Sequence, residues 1–417
     1  MADLADPQQL LLGLLDPSVR ADPYPLYRQI LEQSPVTQGP MGIVVVASYH
    51  EIDRLLRDRR VSSDYRNSTA FRQWLAEQGA DLDAWDADDA QPFLLRDPPD
   101  HTRLRRLAAK AFSVRAVEAQ RPRIAALVDD LLDRAAAGGD GQIELIEDLA
   151  YPLPVTVISE LLGVPPEDHA TFKRWSATLA QSIDPPFLLS PEQREAQWHA
   201  VDEFHAYFRE LIARRRVEPG DDLLSALVSV RDAGDQLSED ELLGTCVLLL
   251  AAGHETTVNL IANATLALLR HPDQFARLAE DPSTARGAVE EALRYDPPVQ
   301  LRDRVALEPL TVGGVEVGAG QSLLLLLAAG NRDATKFSHP DRFDVTRDAS
   351  GHLAFGAGIH YCLGAPLARI EGQLALTALA RRLEAPELAT DALAYTSNIA
   401  LRGLQALPVS ARRIRPA

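Results

Sequence analysis

A single cysteine lies in a glycine-rich segment near the end of the chain. Cys362 lies between Gly358 and Gly364, and Pro366 follows at the start of a helix-forming stretch. Glycines let a backbone approach another group and present its amides, and a helix N-terminus stabilises an anionic sulfur. Since the only other cysteine is Cys246, a disulfide framework and a four-cysteine metal site are excluded. The pattern predicts a thiolate that acts as a nucleophile or as the axial ligand of a haem.

A carboxylic acid and a hydroxyl stand side by side in an otherwise apolar stretch. Glu255 and Thr256 follow the small residues Ala252 and Gly253. Burying an unpartnered carboxylate costs several kcal/mol, so we expect a function for it. An acid beside a hydroxyl can relay protons, and small neighbours leave room for a flat cofactor. In the alternative, the Thr256 hydroxyl bonds to its own helix carbonyl and Glu255 reaches solvent.

Two charged pairs have helical spacing. His101 and Arg105 are four residues apart after a pair of prolines, on one face of a predicted helix that can bind an anion. Glu291 and Arg294 are three apart, which alone is typical of a solvated ion pair. For the first pair, the alternative is an ordinary charged surface helix.

Mostly helical elements must position these residues. Apolar periodicity predicts helices at Ile124–Ala137, Glu192–Arg215, Ser283–Tyr295 and Leu367–Leu383. The capping box of Ser238 and Glu241 predicts a further helix of 32 residues, Glu239–Arg270, which is apolar on nearly all sides and therefore central. Short β signals occur in three regions, with a Gly-Gly hairpin in the second and a hairpin at Tyr395–Leu401 in the third. These regions are about 30–60, 298–330 and 390–410.

Composition limits the class of protein. The chain has 417 residues, 46% of them hydrophobic, and a formal net charge of −18. So acidic a protein is not expected to bind nucleic acid. The N-terminus has acids before a short apolar run, a pattern that fits neither a signal peptide nor a membrane anchor. We therefore expect a cytoplasmic protein without a membrane partner.

The segment 355–364, FGAGIHYCLG, resembles the haem-binding loop of the cytochrome P450 monooxygenases. The other motifs occur in the order typical of that family. The resemblance implies that the cysteine is the iron ligand, that the phenylalanine packs near the sulfur and that the histidine reaches a haem propionate. The cofactor-binding residues of this loop are then Phe355, Gly356, His360, Cys362 and Gly364.

The resemblance also implies the fold and further roles. The fold is mainly α, a triangular helical prism with a small β lobe, in which residues 1–417 form a single domain around haem b. Glu255 and Thr256 would deliver protons on the distal side. Glu291 and Arg294 would stabilise the core beneath the haem, together with Arg342 of the segment after them.

Three residues outside the cysteine loop are expected at the haem propionates. By resemblance these are His101, Arg105 and Arg304, with Arg302 as a rival for the last position. Helical phase and the family together place the substrate against residues of the central helix and two later turns. The pocket residues are Leu249, Ala252, Gly253, Val299 and Ile399.

The expected activity is oxidation of a small organic molecule, a secondary metabolite, with dioxygen. Hydroxylation, epoxidation and oxidative coupling all remain open. A basic patch of Arg103, Arg106 and Lys110 is predicted to dock an acidic ferredoxin-type electron donor, and the protein is expected to be a monomer. The alternatives are a peroxide-driven peroxygenase, a haem sensor or carrier without turnover, and a cysteine-nucleophile hydrolase without haem.

Overall fold

The computed structural model describes residues 12–39, 42–79, 91–139, 141–180, 189–231 and 234–416. Helices make up most of this part of the chain, as the sequence predicts. They are α1 (Tyr24–Gln33), α2 (Tyr49–Arg57), α3 (Thr69–Glu77), α4 (Asp100–Ala111), α5 (Val114–Glu118), α6 (Arg121–Ala136), α7 (Pro152–Leu161), α8 (His169–Ala180), α9 (Pro191–Val217), α10 (Leu223–Ser229), α11 (Glu239–Gly253), α12 (Glu255–Arg270), α13 (Pro272–Glu280), α14 (Ala285–Tyr295), α15 (Leu327–Gly330) and α16 (Ala365–Arg382).

Short strands form the minor β region. The main sheet has the order β1-β2-β8-β5-β3, in which β2 and β8 run parallel and the other neighbours antiparallel. A second sheet has the order β10-β11-β4, and β6–β7 and β9–β12 form pairs. The strands are β1 (Val36–Gln38), β2 (Val44–Val46), β3 (Val61–Ser62), β4 (Gln142–Glu144), β5 (Arg302–Ala306), β6 (Leu310–Val312), β7 (Val315–Val317), β8 (Ser322–Leu325), β9 (Leu383–Glu384), β10 (Glu387–Leu388), β11 (Pro408–Ser410) and β12 (Arg413–Ile414).

The predicted hairpins differ in outcome. Gly313 and Gly314 turn between β6 and β7 with φ of 52° and 85°, values that L side chains rarely adopt, as the Gly-Gly pattern predicts. The segment around Tyr395 instead forms isolated bridges, Tyr395 with Leu404 and Leu401 with Val299. The second predicted hairpin is therefore not a regular strand pair.

The long central helix is capped as predicted but is not continuous. Ser238 and Glu241 form the reciprocal capping box. The helix is interrupted at His254, which separates α11 from α12. Thr257 Oγ1 donates to the carbonyl oxygen of Gly253 at 3.1 Å, while the Thr257 amide bonds to His254. The hydroxyl thus takes the acceptor that a regular helix gives to the amide, and the prediction of one 32-residue helix is wrong at this point.

The largest apolar cluster surrounds the second half of this helix. Residues 257–268 of α12 are all buried, with α14 and α16 packed against them. By length and composition the segment Glu239–Arg270 would pass as a membrane span, but 56% of its most apolar window is buried inside the protein. This is what a core helix shows. The loop before α16 carries Cys362 against this core.

Candidate active site

Cys362 lies just before the N-terminus of α16, at the end of a tight loop. Its amide donates to the carbonyl oxygen of Phe355 at 2.9 Å, which closes the loop. Gly356 and Gly358 both have φ of +66°, and a Cβ on Gly358 would collide with the carbonyl oxygen of Leu56 in α2. Glycine at 358 is therefore required for α2 to pack against the cysteine loop.

The surroundings of the sulfur act on its anionic form in opposite directions, and burial has the larger effect. Burial raises the pKa of the Cys362 thiol, while the amides of Gly364 and Ala365 oppose that rise. The guanidinium groups of Arg105 and Arg369 act in the same direction as the amides. The free amides at the start of α16 are thus directed at the sulfur, as the sequence predicts.

Two histidines meet on one side of the loop without acceptors for their protons. The rings of His101 and His360 lie 4.1 Å apart between centroids. In the described part of the chain, no hydrogen-bond partner reaches either ring nitrogen of His101 or Nδ1 of His360, although all three are buried. Burial, together with Arg105, lowers the pKa of His101 to about 4, and burial with His101 lowers that of His360 to about 3. Buried ring nitrogens of this kind need a hydrogen-bonding ligand.

Three arginines surround the same region. Arg105 donates to the carbonyl oxygen of Tyr361, and Arg304 Nη1 donates to the carbonyl oxygen of Asp303 at 2.7 Å. Arg302 and Arg304 alternate on β5 and therefore share a face of the sheet. Burial lowers the pKa of Arg304 to about 10 and also lowers that of Arg302. Among the described residues, none of these three guanidinium groups has a carboxylate within 4.0 Å. Arg302 therefore remains a candidate propionate ligand beside Arg304.

The acid and the hydroxyl lie at the helix interruption. Thr256 Oγ1 donates to the carbonyl oxygen of Ala252 at 2.8 Å, which is the bond that the sequence analysis gave as an alternative. Glu255 is half-buried. Burial raises the pKa of its carboxyl group, and the nearby amide of Asn259 partly offsets this. The carboxyl group can therefore hold a proton closer to neutral pH than an exposed glutamate can.

The predicted Glu291–Arg294 pair is fully buried. Arg294 Nε and Nη2 donate to the two carboxylate oxygens of Glu291 at 2.7 and 2.8 Å, and neither side chain has exposed surface. The remaining donors of Arg294 reach the carbonyl oxygens of Asn331, Pro340 and Arg342 at 2.8–3.1 Å. Because a buried ion pair is stable only with such extra hydrogen bonds, the pair fixes the segment around residues 331–342 against α14.

Comparison with known proteins identifies the family from this sequence. The family profile described as cytochrome P450 matches residues 36–391. The chain belongs to the cytochrome P450 family.

Relatives cover nearly the whole of this P450. Cytochrome P450 monooxygenase PikC of Streptomyces venezuelae is 45% identical over 423 residues, which is 99% of this chain and 97% of PikC. The 6-deoxyerythronolide B hydroxylase of Saccharopolyspora erythraea is 40% identical over 94% of this chain and 96% of that enzyme. The ligand-free structure of CYP164A2 of Mycobacterium smegmatis is 48% identical, with a TM-score of 0.88 over 97% of this chain and 100% of that one. The predicted mainly α P450 fold is confirmed, and the protein is a P450 monooxygenase.

The cofactor of the family is haem b, and the residues of this P450 fit it. Cys362, a half-buried cysteine on which backbone amides converge, suits an axial thiolate ligand. Among the described residues no partner reaches the ring nitrogens of His101 or Nδ1 of His360, and these atoms suit the carboxylates of the two propionates. The residues of both features were predicted from the sequence, and both features fit the chemistry of haem.

The predicted role of Arg342 beside the buried Glu291–Arg294 pair is wrong. The side chain of Arg342 is 67% exposed and lies 3.5 Å from Asp344, away from the buried pair. Arg347 instead donates to Glu291 at 3.1 Å, with 12% of its side chain exposed. Phe343, the residue after Arg342, is buried, and this turns the Arg342 side chain outward.

The basic patch also needs a correction. Arg103 pairs with Glu241 at the start of α11 and lies 3.4 Å from Asp235, so its charge is offset within the protein. Lys110 Nζ lies 3.4 Å from the carbonyl oxygen of Arg231. Arg103 therefore does not belong to the docking surface that the sequence predicts.

The residues predicted to line the substrate pocket are in different surroundings. Leu249 and Ala252 keep partial exposure in the central helix. Among the described residues, a Cβ on Gly253 would meet Ile158 alone within 4 Å, apart from the backbone of its own helix. Val299 packs at the edge of the sheet core, and Ile399 borders a cleft lined also by Tyr27, Gln300 and Tyr395. The family resemblance also implies that residues 185–189 and an acid-rich loop at 81–89 close the pocket. The loop and all of the first segment except Leu189 lie outside the described residues.

His254 is turned away from this face of the helix. It has no exposed surface, its Nδ1 lies 2.6 Å from Ser176 Oγ of α8, and its ring meets Tyr151 edge-on at 4.5 Å. Burial, with a contribution from Lys173, lowers its pKa to about 3. His254 therefore joins the helix interruption to α8 as a neutral imidazole.

A second network beside the cysteine loop was missed. Glu290 accepts from Arg369 Nε at 2.6 Å and Nη2 at 3.0 Å, and lies 3.1 Å from His352 Nε2. Arg369 Nη1 donates to the hydroxyl of Tyr361 at 3.1 Å, and its guanidinium lies 4.6 Å from the ring centroid of Phe355. No spacing in the sequence marks this network, because Glu290 and Arg369 are 79 residues apart in the chain.

Proposed function

We propose that this P450 hydroxylates a secondary metabolite with dioxygen, using electrons from a separate ferredoxin. Epoxidation and oxidative coupling are further outcomes of the same chemistry. The observation that carries the proposal is the half-buried acid beside a hydroxyl, Glu255 and Thr256, at the interruption of a core helix. An enzyme that receives electrons and dioxygen separately needs such a proton source, whereas a haem carrier does not.

The cofactor is held by residues from three parts of the chain. Cys362 supplies the sulfur ligand, and Phe355 packs beside it. His101, Arg105 and Arg304 bind the propionates together with His360, and Arg302 lies on the same face of β5 as Arg304. When bound, haem supplies the oxidising chemistry that no side chain has.

The proton path is local to the helix interruption. Thr256 is oriented by its bond to the carbonyl oxygen of Ala252, which leaves the hydroxyl oxygen free to accept. Glu255, whose pKa is raised by burial, takes up a proton and donates it to the oxygen of that hydroxyl, while the hydroxyl releases its own proton from the Ala252 carbonyl toward the pocket. The pair thus moves protons without a change in backbone structure.

The substrate is a largely apolar natural product. Its support is the lining of half-buried Leu249 and Ala252, with Gly253, Val299 and Ile399 as further contacts. Among the relatives, one is named 6-deoxyerythronolide B hydroxylase and another vitamin D(3) 25-hydroxylase, and both names indicate large apolar substrates. We further propose that the enzyme is a cytoplasmic monomer.

The electron donor docks near the cysteine loop. Arg106 and Lys110, both exposed on α4, are its proposed basic contacts. A ferredoxin is acidic, and this protein is strongly acidic too, with a net charge of −18. A local basic surface is therefore needed to orient the donor.

The test uses purified holoenzyme. Its reduced, CO-bound spectrum is recorded, and macrolactones and sterols are screened for shifts of the Soret band. The compound with the largest shift is then turned over with NADPH, reductase and ferredoxin, and separately with hydrogen peroxide. We expect Glu255→Gln to lower ferredoxin-driven product formation about 100-fold and to leave peroxide-driven turnover unchanged.

Three results would contradict the proposal. Turnover with hydrogen peroxide but none with NADPH, reductase and ferredoxin would indicate a peroxygenase. Haem binding without turnover of any compound by either route would favour a sensor or carrier. A Cys362→Ser variant with an unchanged CO spectrum would show that Cys362 is not the thiolate ligand.

A further inference from the structure

Arg369 is the cation that contacts both aromatic neighbours of the cysteine ligand. Its guanidinium lies over Phe355 and donates to the hydroxyl of Tyr361. Phe355 in turn accepts the amide of Cys362 through its carbonyl oxygen. The positive charge therefore contacts two residues that adjoin Cys362, and it acts on the sulfur electrostatically.

This cation is held rigidly from α14. Both carboxylate oxygens of Glu290 accept from Arg369, a fork geometry that fixes the guanidinium plane. Burial alone would raise the pKa of Glu290, but hydrogen bonds from His352 and Arg369 lower it to about 2. Glu290 is therefore an anion at every pH at which the enzyme works.

His352 completes the support of Glu290. Its Nδ1 accepts from the amide of Ala354 at 3.2 Å, so Nε2 is the ring nitrogen that donates to Glu290. Only 3% of the His352 side chain is exposed, and its ring lies 5.6 Å from that of Phe355. The positive charge of Arg369 contacts the aromatic neighbours of the cysteine, and the negative charge of Glu290 holds it in place.

We propose that Arg369 is a positioning residue that sets the electrostatic field at the Cys362 sulfur, and that Glu290 and His352 hold it there. The inference rests on the proposed haem-thiolate function. A fixed positive charge near the sulfur stabilises the ferrous state, because reduction adds an electron to the site. Arg369 raises the reduction potential and Glu290 moderates it, so neutralising each must shift the potential in opposite directions.

The test is a spectroelectrochemical titration of substrate-free holoenzyme. At the wild-type midpoint, we expect Arg369→Gln to lower the ferrous-to-ferric ratio about tenfold, which is 59 mV for one electron. Glu290→Gln is expected to raise the ratio by a similar factor, and Arg369→Lys to stay within about threefold of wild type, since it keeps the charge. Reduced, CO-bound spectra verify that each variant keeps its thiolate ligand.

Arg121→Gln is the matched control. Arg121 pairs with Glu118 at 2.9 Å and lines the same groove as Arg369, and among the described residues it has no hydrogen bond or ion pair with the cysteine loop. The ferrous-to-ferric ratio of Arg121→Gln is expected within about twofold of wild type. If Arg369→Gln does not retain haem, the direction of the shift in Glu290→Gln tests the inference instead.

The outcomes separate this inference from the proposed function. It is overturned if Arg369→Gln and Arg369→Lys shift the potential equally, if Arg369→Gln and Glu290→Gln shift it in the same direction, or if neither charge-neutral variant shifts it. Wild-type protein without bound haem would instead defeat the proposed function.

Discussion

Arg347, which replaces Arg342 in the buried network, provides a sharp test of how the core beneath the cysteine loop is stabilised. Its guanidinium donates to Glu291 at 3.1 Å. It also donates to the carbonyl oxygens of Ser338, His339 and Arg342 at 2.6, 3.1 and 3.2 Å. We expect Arg347→Gln to destabilise the fold strongly and Arg342→Gln to leave it nearly unchanged.

The magnitude follows from the bonds that are lost. Hydrogen bonds to charged groups contribute about 1.5–3 kcal/mol each, and glutamine recovers some of the four. Discounting for the 12% exposure of Arg347 and for that recovery, we expect a loss of about 2–4 kcal/mol. With ~2.1 cal/mol/K of unfolding entropy per residue, this lowers the melting temperature of the 417-residue chain by ~2–5 °C. The exposed Arg342 contributes under ~0.5 kcal/mol.

The assay compares the two variants with wild type as holoenzyme. Urea midpoints are followed by circular dichroism and by loss of the Soret band, and melting temperatures by calorimetry. Equal effects of the two substitutions, or a larger effect of Arg342→Gln, would refute the reasoning. A change in the Soret band at low urea for Arg347→Gln alone would show that the network also supports the cofactor loop.

Three further predictions concern histidines and surface charge. His254 takes up a proton below about pH 6.5 in the unfolded chain but only near pH 3 in the folded protein, so the free energy of unfolding falls as the pH is lowered. His254→Asn should reduce this loss, measured by urea unfolding between pH 7 and 5, by about 2 kcal/mol. His101→Phe should release haem to apomyoglobin about 10–100-fold faster than wild type, and an unchanged rate would exclude it as a propionate ligand. Arg106→Glu should slow reduction by ferredoxin about tenfold at low salt, with the difference vanishing at high salt; equal slowing by Arg115→Glu would exclude a specific contact.

Features that depend on neighbours in the chain were predictable from the sequence. The Glu291–Arg294 pair spans three residues, the cap of α11 spans three, and the cysteine loop closes over seven, from Phe355 to Cys362. Side-chain type and spacing are sufficient for such contacts, because the helix or turn itself brings the partners together.

Contacts between distant segments were not predictable in this way. Arg347 meets Glu291 across 56 residues, and Arg369 meets Glu290 across 79. Arg103 was assigned to an electron-donor surface because its partner Glu241 lies 138 residues away. The interruption of the helix at His254 was not predicted for another reason. Hydrophobic periodicity does not show whether an amide or a side-chain hydroxyl donates to a given helix carbonyl.

Glu290 and Glu291 are consecutive residues of α14, yet one holds the cysteine loop and the other holds the segment around Arg347. Successive helical residues differ by about 100° in direction, so the two assemblies are aligned with each other by the rotation of a single helix. Inserting or deleting one residue upstream within α14 would turn both carboxylates away from their arginines at once. Length variation in this P450 should therefore be tolerated in loops on either side of α14 but not within it.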